Sequence, residues 1–253
     1  MIYLTGDTHS DFRRFTSANF PEQKEMGKED YVIVCGDFGG LWDGSKEEKH
    51  WLDWLDAKPF TTLFVSGNHE NYDLLDALPA ESWNGGLVQR VRPSVLHLMR
   101  GQLFTIDGFR VFTMGGASSH DISDGILDPK APDFRARKKK LDARHALYRI
   151  DHVSWWKREL PDEEEYAQAE RTLDSCGREV DLILSHCAPT TIAARVTENA
   201  EPDRLTDYFE SLSHNCRFRY WFFGHYHDNR VLDGKYVLLY EQIVALALPG
   251  KNG

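Results

Sequence analysis

Cysteine, long apolar runs and positive charge are all scarce in this chain. Its 253 residues include four cysteines, Cys35, Cys176, Cys187 and Cys216, and no two of them form a Cys-x-x-Cys pair. Scattered thiols suggest neither a disulfide framework nor a zinc knuckle; they fit a reducing compartment, and the expected localisation is cytoplasmic. No apolar stretch approaches the length needed to span a bilayer, so no membrane partner is expected. The opening run Met1-Ile2-Tyr3-Leu4-Thr5 already reads as a strand, without the charged and apolar regions of a signal peptide. With 30 Lys and Arg against 40 Asp and Glu, the formal net charge is −10. That argues against broad attraction to nucleic acid or anionic membrane.

The apolar fraction of 41% and charged fraction of 28% are ordinary for a globular chain. The economical reading is one α/β domain over residues 1–253. In the first seventy residues an apolar, β-rich run ends repeatedly in a Gly-polar turn. Runs at 2–4, 31–35 and 63–65 end in Gly6-Asp7-Thr8-His9, Gly36-Asp37 and Ser66-Gly67-Asn68-His69-Glu70. Their spacing of about 30 residues is that of one βαβ unit. Ser45-Lys46-Glu47-Glu48 reads as a capping box opening a helix that puts Trp51, Trp54 and Leu55 on one core-facing side. A short helix is expected over 73–78. Runs 95–99, 102–106 and 109–114 read as consecutive antiparallel strands, with Asp107-Gly108 as the tight turn between the last two.

Gly115 to Asp121 reads as a flexible polar loop opening an irregular, lid-like insertion around 115–160. A Glu-rich helix is expected from near Pro161, with Asp162 to Glu165 in its first turn. The theme then returns. Run 180–184 ends in Ser185-His186, 203–212 reads as a helix, and 218–223 ends in Gly224-His225-Tyr226-His227. Strand-like runs at 236–240 and 243–248 close the chain. Parallel and antiparallel signals together predict α/β with two mixed sheets.

Ligands in open α/β sheets gather where strands end and loops begin. Asp7, His9, Asp37, Asn68, His186, His225 and His227 all fall at such points. Asp7 and His9, and likewise His225 and His227, are two apart and in extended backbone can face one site. A carboxylate, amide and imidazole set without thiolate suits Mn²⁺, Fe or Zn²⁺, with Mn²⁺ favoured. Seven side chains on two ions require a shared carboxylate, and Asp37, alone on its loop, is the natural bridge. Paired cations about 4 Å apart polarise phosphoryl oxygens and activate water. His69, directly after Asn68, is a candidate general acid for the leaving oxygen.

The ordered series from Gly6-Asp7-Thr8-His9 to Gly224-His225-Tyr226-His227 resembles the calcineurin-like metallophosphoesterase superfamily, and the Gly115 to Asp121 loop with the later Trp155-Trp156 resembles its small bacterial and phage-type members. The resemblance implies a four-layer sandwich of two sheets flanked by helices, with metals at the strand ends. It implies one metal on Asp7, His9, Asp37 and His227, a second on Asp37, Asn68, His186 and His225, and His69 beside the scissile phosphate. The chain departs from the family pattern in having Ser10 where Gly is common. It also lacks, near Gly36-Asp37, the phosphate-gripping Arg of the protein phosphatase branch.

Taken singly, each residue has a plainer role: Asp37 as a helix cap, Asn68 as a turn residue, His186 as a hydrogen-bonded core histidine. None of these explains five runs in order. His50, His97, His145, His152 and His214 fall outside the pattern and read as structural or surface residues. His120 and Asp121 are turn residues or reach the substrate side. The basic run 135–140 is a solvated face or a lid attracting phosphorylated substrate, and Trp155-Trp156 reads as core. The expected activity is hydrolysis of a small phosphomonoester or phosphodiester. The rivals are a catalytically silent protein-binding module, which usually loses ligands, and a nuclease, which the net charge disfavours. Substrate and oligomeric state are not legible.

Overall fold

The computed structural model describes residues 1–198 and 200–246. In chain order the elements are β1 (Ile2–Thr5), β2 (Tyr31–Cys35), α1 (Lys46–Asp56), β3 (Thr61–Val65), α2 (Tyr72–Asp76), β4 (Ala80–Trp83), β5 (Gly86–Arg92), β6 (Val95–Leu98), β7 (Gln102–Ile106) and β8 (Phe109–Met114). Then come β9 (Ile126–Leu127), α3 (Phe134–Asp142), β10 (Arg149–Ile150), α4 (Glu163–Ser175), β11 (Leu182–Ser185), α5 (Thr190–Val196), α6 (Arg204–Asn215), β12 (Tyr220–Phe223), β13 (Arg230–Leu232), β14 (Tyr236–Leu238) and β15 (Val244–Ala245).

Two large mixed sheets result, as the sequence predicts. The first has the order β15-β1-β2-β3-β6-β5-β4, and the second β13-β14-β12-β11-β8-β7. At the centre of each, four neighbouring strands run parallel: β1, β2, β3 and β6 in one, β8, β11, β12 and β14 in the other. Strands covered on both faces need continuous apolar runs, not alternation. Tyr31-Val32-Ile33-Val34-Cys35 is buried at every position. One face of each sheet packs against the other sheet through Leu4, Ile33, Val65 and Leu98 on one side and Val111, Leu184 and Phe222 on the other. The outer face of the first sheet is covered by α1 and α2, with Phe12, Phe38, Leu55 and Trp156 in that cluster. The outer face of the second is covered by α4, α5 and α6 through Leu173, Ile192 and Phe209. Helices thus enclose two sheets in four layers.

Local chemistry sets the boundaries. Asp107 and Gly108 take φ of 47° and 77°, the two left-handed residues of a hairpin turn that matches strand twist. Asp162 and Glu165 form a full capping box at the start of α4. At α1 only half of the expected box forms. Ser45 accepts the Glu48 N–H, but the Glu48 carboxylate turns to the N–H groups of Trp42, Asp43 and Gly44.

The structure differs from the sequence reading in three further places. The strands at 95–99 and 102–106 are not partners: β6 lies in the first sheet and β7 in the second, so the chain changes sheets between them. Arg100 sits buried at this crossing, donating to Tyr72 Oη and the carbonyls of Arg158 and Glu159, and paired with Glu165. The insertion, expected to be irregular, holds the helix α3 and a small parallel pair, β9 and β10. The strand expected at 243–248 is described only as Val244–Ala245, and residues 247 and 248 lie outside the described residues. No helix among the described residues is long and apolar enough to cross a membrane.

Candidate metal centre

The polar residues singled out in the sequence lie just past the carboxyl ends of β1, β2, β3, β11 and β12. Both sheets therefore deliver side chains to one edge of the sandwich, where ligand sites of open α/β sheets form. The loops are unusually shaped. His9, Ser10, Asp37, His225 and His227 all have positive φ, between 44° and 73°. Such conformations cost non-glycine residues free energy and cluster at functional sites. Ser10 adopts φ of 66° where a glycine is common, and its hydroxyl donates to the Gly39 carbonyl at 2.5 Å. Two motif glycines are required by close approach. A Cβ on Gly67 or on Gly224 would sit 2.1 Å from a carboxylate oxygen, of Asp37 and of Asp7 respectively.

Asp7, Asp37, Asn68 and His186 are buried, while His9 and His227 are exposed. Asp7 Oδ2 lies 3.1 Å from His227 Nε2 and 3.8 Å from His9 Nε2. Asp37 lies between the two halves, with Oδ2 3.7 Å from His9 Nε2 and Oδ1 3.2 Å from His186 Nε2. His186 Nε2 is also 3.3 Å from Asn68 Oδ1. Its Nδ1 lies 2.9 Å from the Cys35 carbonyl, which leaves Nε2 free to face the centre. Two groups of donors result, Asp7 with His9 and His227, and Asp7 with Asp37 and His186. The His225 ring packs 4.9 Å from that of His186, and its backbone N–H donates to Asp7 Oδ1.

Burial opposes a charged His186, but Asp37 and Asp7 beside it push its pKa up to about 9. Burial likewise opposes ionised Asp37, yet the imidazoles around it hold it well below the usual carboxylate range. His225 is driven the other way by burial and by the charges of His186 and His120. Imidazoles also meet nitrogen to nitrogen: His9 and His227 at 3.1 Å, His120 and His225 at 2.6 Å, each through Nε2. Carboxylate and imidazole lone pairs that converge with too few protons to separate them fit a cation. The oxygen and imidazole donors suit transition-metal ions.

His69 and both less certain residues come to the same edge. The His69 N–H donates to Asp37 Oδ1 at 2.7 Å, and its ring packs edge-on 5.0 Å from that of His9. His120 reaches His225 directly. Asp121 acts at one remove, holding Arg149 by two bonds, while Arg149 Nη2 lies 3.2 Å from His69 Nε2. Sequence reasoning missed Arg149, because a lone Arg inside an insertion without periodicity carries no signal.

Two orienting residues were missed as well. Buried Glu70 accepts the N–H groups of Phe38 and Gly39, shaping the Asp37 loop, and burial and the Asp37 charge push its pKa up to about 8. Arg14 donates to the carbonyls of Asp7, Gly6 and Tyr240 and so fixes the first loop. Asn68, two residues earlier, marked Glu70 as near the site; nothing in the sequence marked Arg14.

The family model for calcineurin-like phosphoesterases matches residues 1–229. The chain belongs to the calcineurin-like phosphoesterase family. Among its relatives, a lariat debranching enzyme of Schizosaccharomyces pombe is 23% identical over 231 residues, covering 80% of this chain and 44% of the relative. A lariat debranching enzyme of Caenorhabditis briggsae is 24% identical over 257 residues, covering 89% and 46%. The chain spans about half the length of the curated relatives it matches. The family is metal-dependent, and this member carries clusters of residues able to hold metal.

Proposed function

We propose that this phosphoesterase hydrolyses a phosphomonoester or phosphodiester at a dinuclear centre. Asp7, His9, Asp37 and His227 would hold one ion, and Asp37, Asn68, His186 and His225 the other. The observation that supports this most is Asp37, whose two oxygens face imidazoles of both groups within 3.7 Å. Two bound cations supply a polarised phosphoryl group and a water acidic enough to attack it near neutral pH. The chain's own residues do the rest. Glu70 and Arg14 hold the two carboxylate-bearing loops in shape. His69, half-buried at the open side of the cluster, gives a proton to the departing oxygen.

The complete donor set disfavours a silent binding module. A second reading is supported by the two relatives' names: a debranching or other nuclease-type activity, with a diester bond as target. The deciding experiment is a screen of the purified, Mn²⁺-reconstituted protein against phosphomonoesters, linear and cyclic phosphodiesters, and branched oligonucleotides. Hydrolysis abolished by a chelator and restored by metal supports the reading, and its class identifies the bond. Hydrolysis of none of them would contradict it.

A further inference from the structure

Arg149 belongs to none of the family's motifs, yet its guanidinium lies one imidazole away from the metal-ligand cluster. It is the first residue of β10, inside the insertion, and only 12% of its side chain is exposed. A guanidinium has five N–H groups and no acceptor. Nε donates to Asp121 Oδ1 at 2.7 Å and Nη2 to Asp121 Oδ2 at 2.8 Å, a two-pronged pair that fixes the plane. Nη1 donates to the Ser154 carbonyl at 2.9 Å. The remaining Nη2 N–H is at His69 Nε2, 3.2 Å away, the longest of the four contacts. The second N–H of Nη1 has no partner among the described residues.

We infer that Arg149 is the substrate's phosphate-binding residue, delivered by the insertion, and that it donates to a non-bridging phosphoryl oxygen. This rests on reading the cluster as the phosphoester site. Other charges at this edge do not serve. Asp7, Asp37 and Glu70 are carboxyl groups, and Arg14 is committed to backbone carbonyls. A phosphoryl oxygen accepts from a guanidinium more strongly than a neutral imidazole does, because the bond is charge-assisted on both sides. Arriving phosphate therefore takes the N–H now resting on His69 Nε2. Asp121 is a positioning residue: it touches no substrate and acts by fixing the fork.

The test uses the full chain with metal content verified in each variant, and orthophosphate as the calorimetric probe. Arg149→Ala should weaken orthophosphate binding about 10- to 100-fold, the usual worth of a charged hydrogen bond. Arg149→Lys should recover part of the loss, as a point charge without the fork. Asp121→Asn should lose less than Arg149→Ala, and Arg149→Lys should gain nothing further from Asp121. Because Arg149 acts on phosphoryl oxygens, Arg149→Ala should lower kcat/KM by the same factor on alkyl and nitrophenyl esters. Wild-type orthophosphate affinity in metal-replete Arg149→Ala overturns the assignment, as does wild-type protein that binds no orthophosphate. If Arg149→Ala fails to fold, Arg149→Gln and Arg149→Lys decide on the same criterion. A failure of the hydrolase reading is distinguishable, since there the wild-type protein itself hydrolyses no phosphoester.

Discussion

Among single residues, Asp37 faces imidazoles on both sides of the cluster. A carboxylate shared by two cations would offset charge on both, whereas in the proposed centre the neutral amide of Asn68 would touch one. Asp37→Asn should therefore reduce bound metal more than Asn68→Ala does, measured by elemental analysis after equal dialysis; wild-type metal content in Asp37→Asn would remove the bridge. His69 can be tested through the leaving group. An alkoxide cannot depart unprotonated at neutral pH, while a nitrophenolate can. General acid catalysis is worth about 10²–10⁴-fold, so His69→Ala should lose most of that factor on an alkyl ester and much less on a nitrophenyl ester. Equal losses with metal retained would mean that His69 positions phosphate instead. This leaving-group dependence separates His69 from Arg149. The motif residues were legible because each sits directly after an apolar run. Arg149, Arg14 and Glu70 act through contacts 80, 7 and 32 residues away in sequence, which no local pattern encodes.

Among the secondary elements, β6 holds a histidine with no part in the chemistry. His97 is buried in the first sheet, its Nδ1 2.8 Å from Gln89 Oε1. Burial, then the charge of Arg100, pushes its pKa down to about 3. An unfolded histidine protonates near about 6.5. Between those values the unfolded chain binds the extra proton, so this stability is full above the upper value and falls as pH drops toward the lower. His97→Gln should flatten the fall in melting temperature below about pH 6.5, and an unchanged slope would contradict this. The basic run became α3, where Lys138 pairs with Asp142 at 2.8 Å. Replacing Lys138, Lys139 and Lys140 with Ala should raise KM for an anionic substrate severalfold, weaken its salt dependence and leave kcat nearly unchanged. No change in KM or salt dependence would make the helix a solvated face only. Strands with continuous apolar runs and capped helices were readable in advance. The crossing at Arg100 was not, because β6 and β7 have equally strand-like sequences and differ only in which sheet receives them.

At the scale of the molecule, the site exists because two sheets present the ends of their parallel strands at one edge. Asp7, His9, Asp37 and Asn68 come from the first sheet, and His186, His225 and His227 from the second. Neither sheet alone supplies both donor groups. The sequence carried the order and kind of these residues. It could not carry their convergence, which depends on packing between Leu4, Ile33 and Val65 and the facing Val111, Leu184 and Phe222. Nor could it place the insertion, whose Asp121 holds Arg149 against His69. The proposed dinuclear centre requires this edge to hold a pair of ions. Metal-free protein reconstituted with Mn²⁺, freed of excess metal and subjected to elemental analysis should contain two ions per chain; a fully folded protein that retains none, or one only, would contradict it.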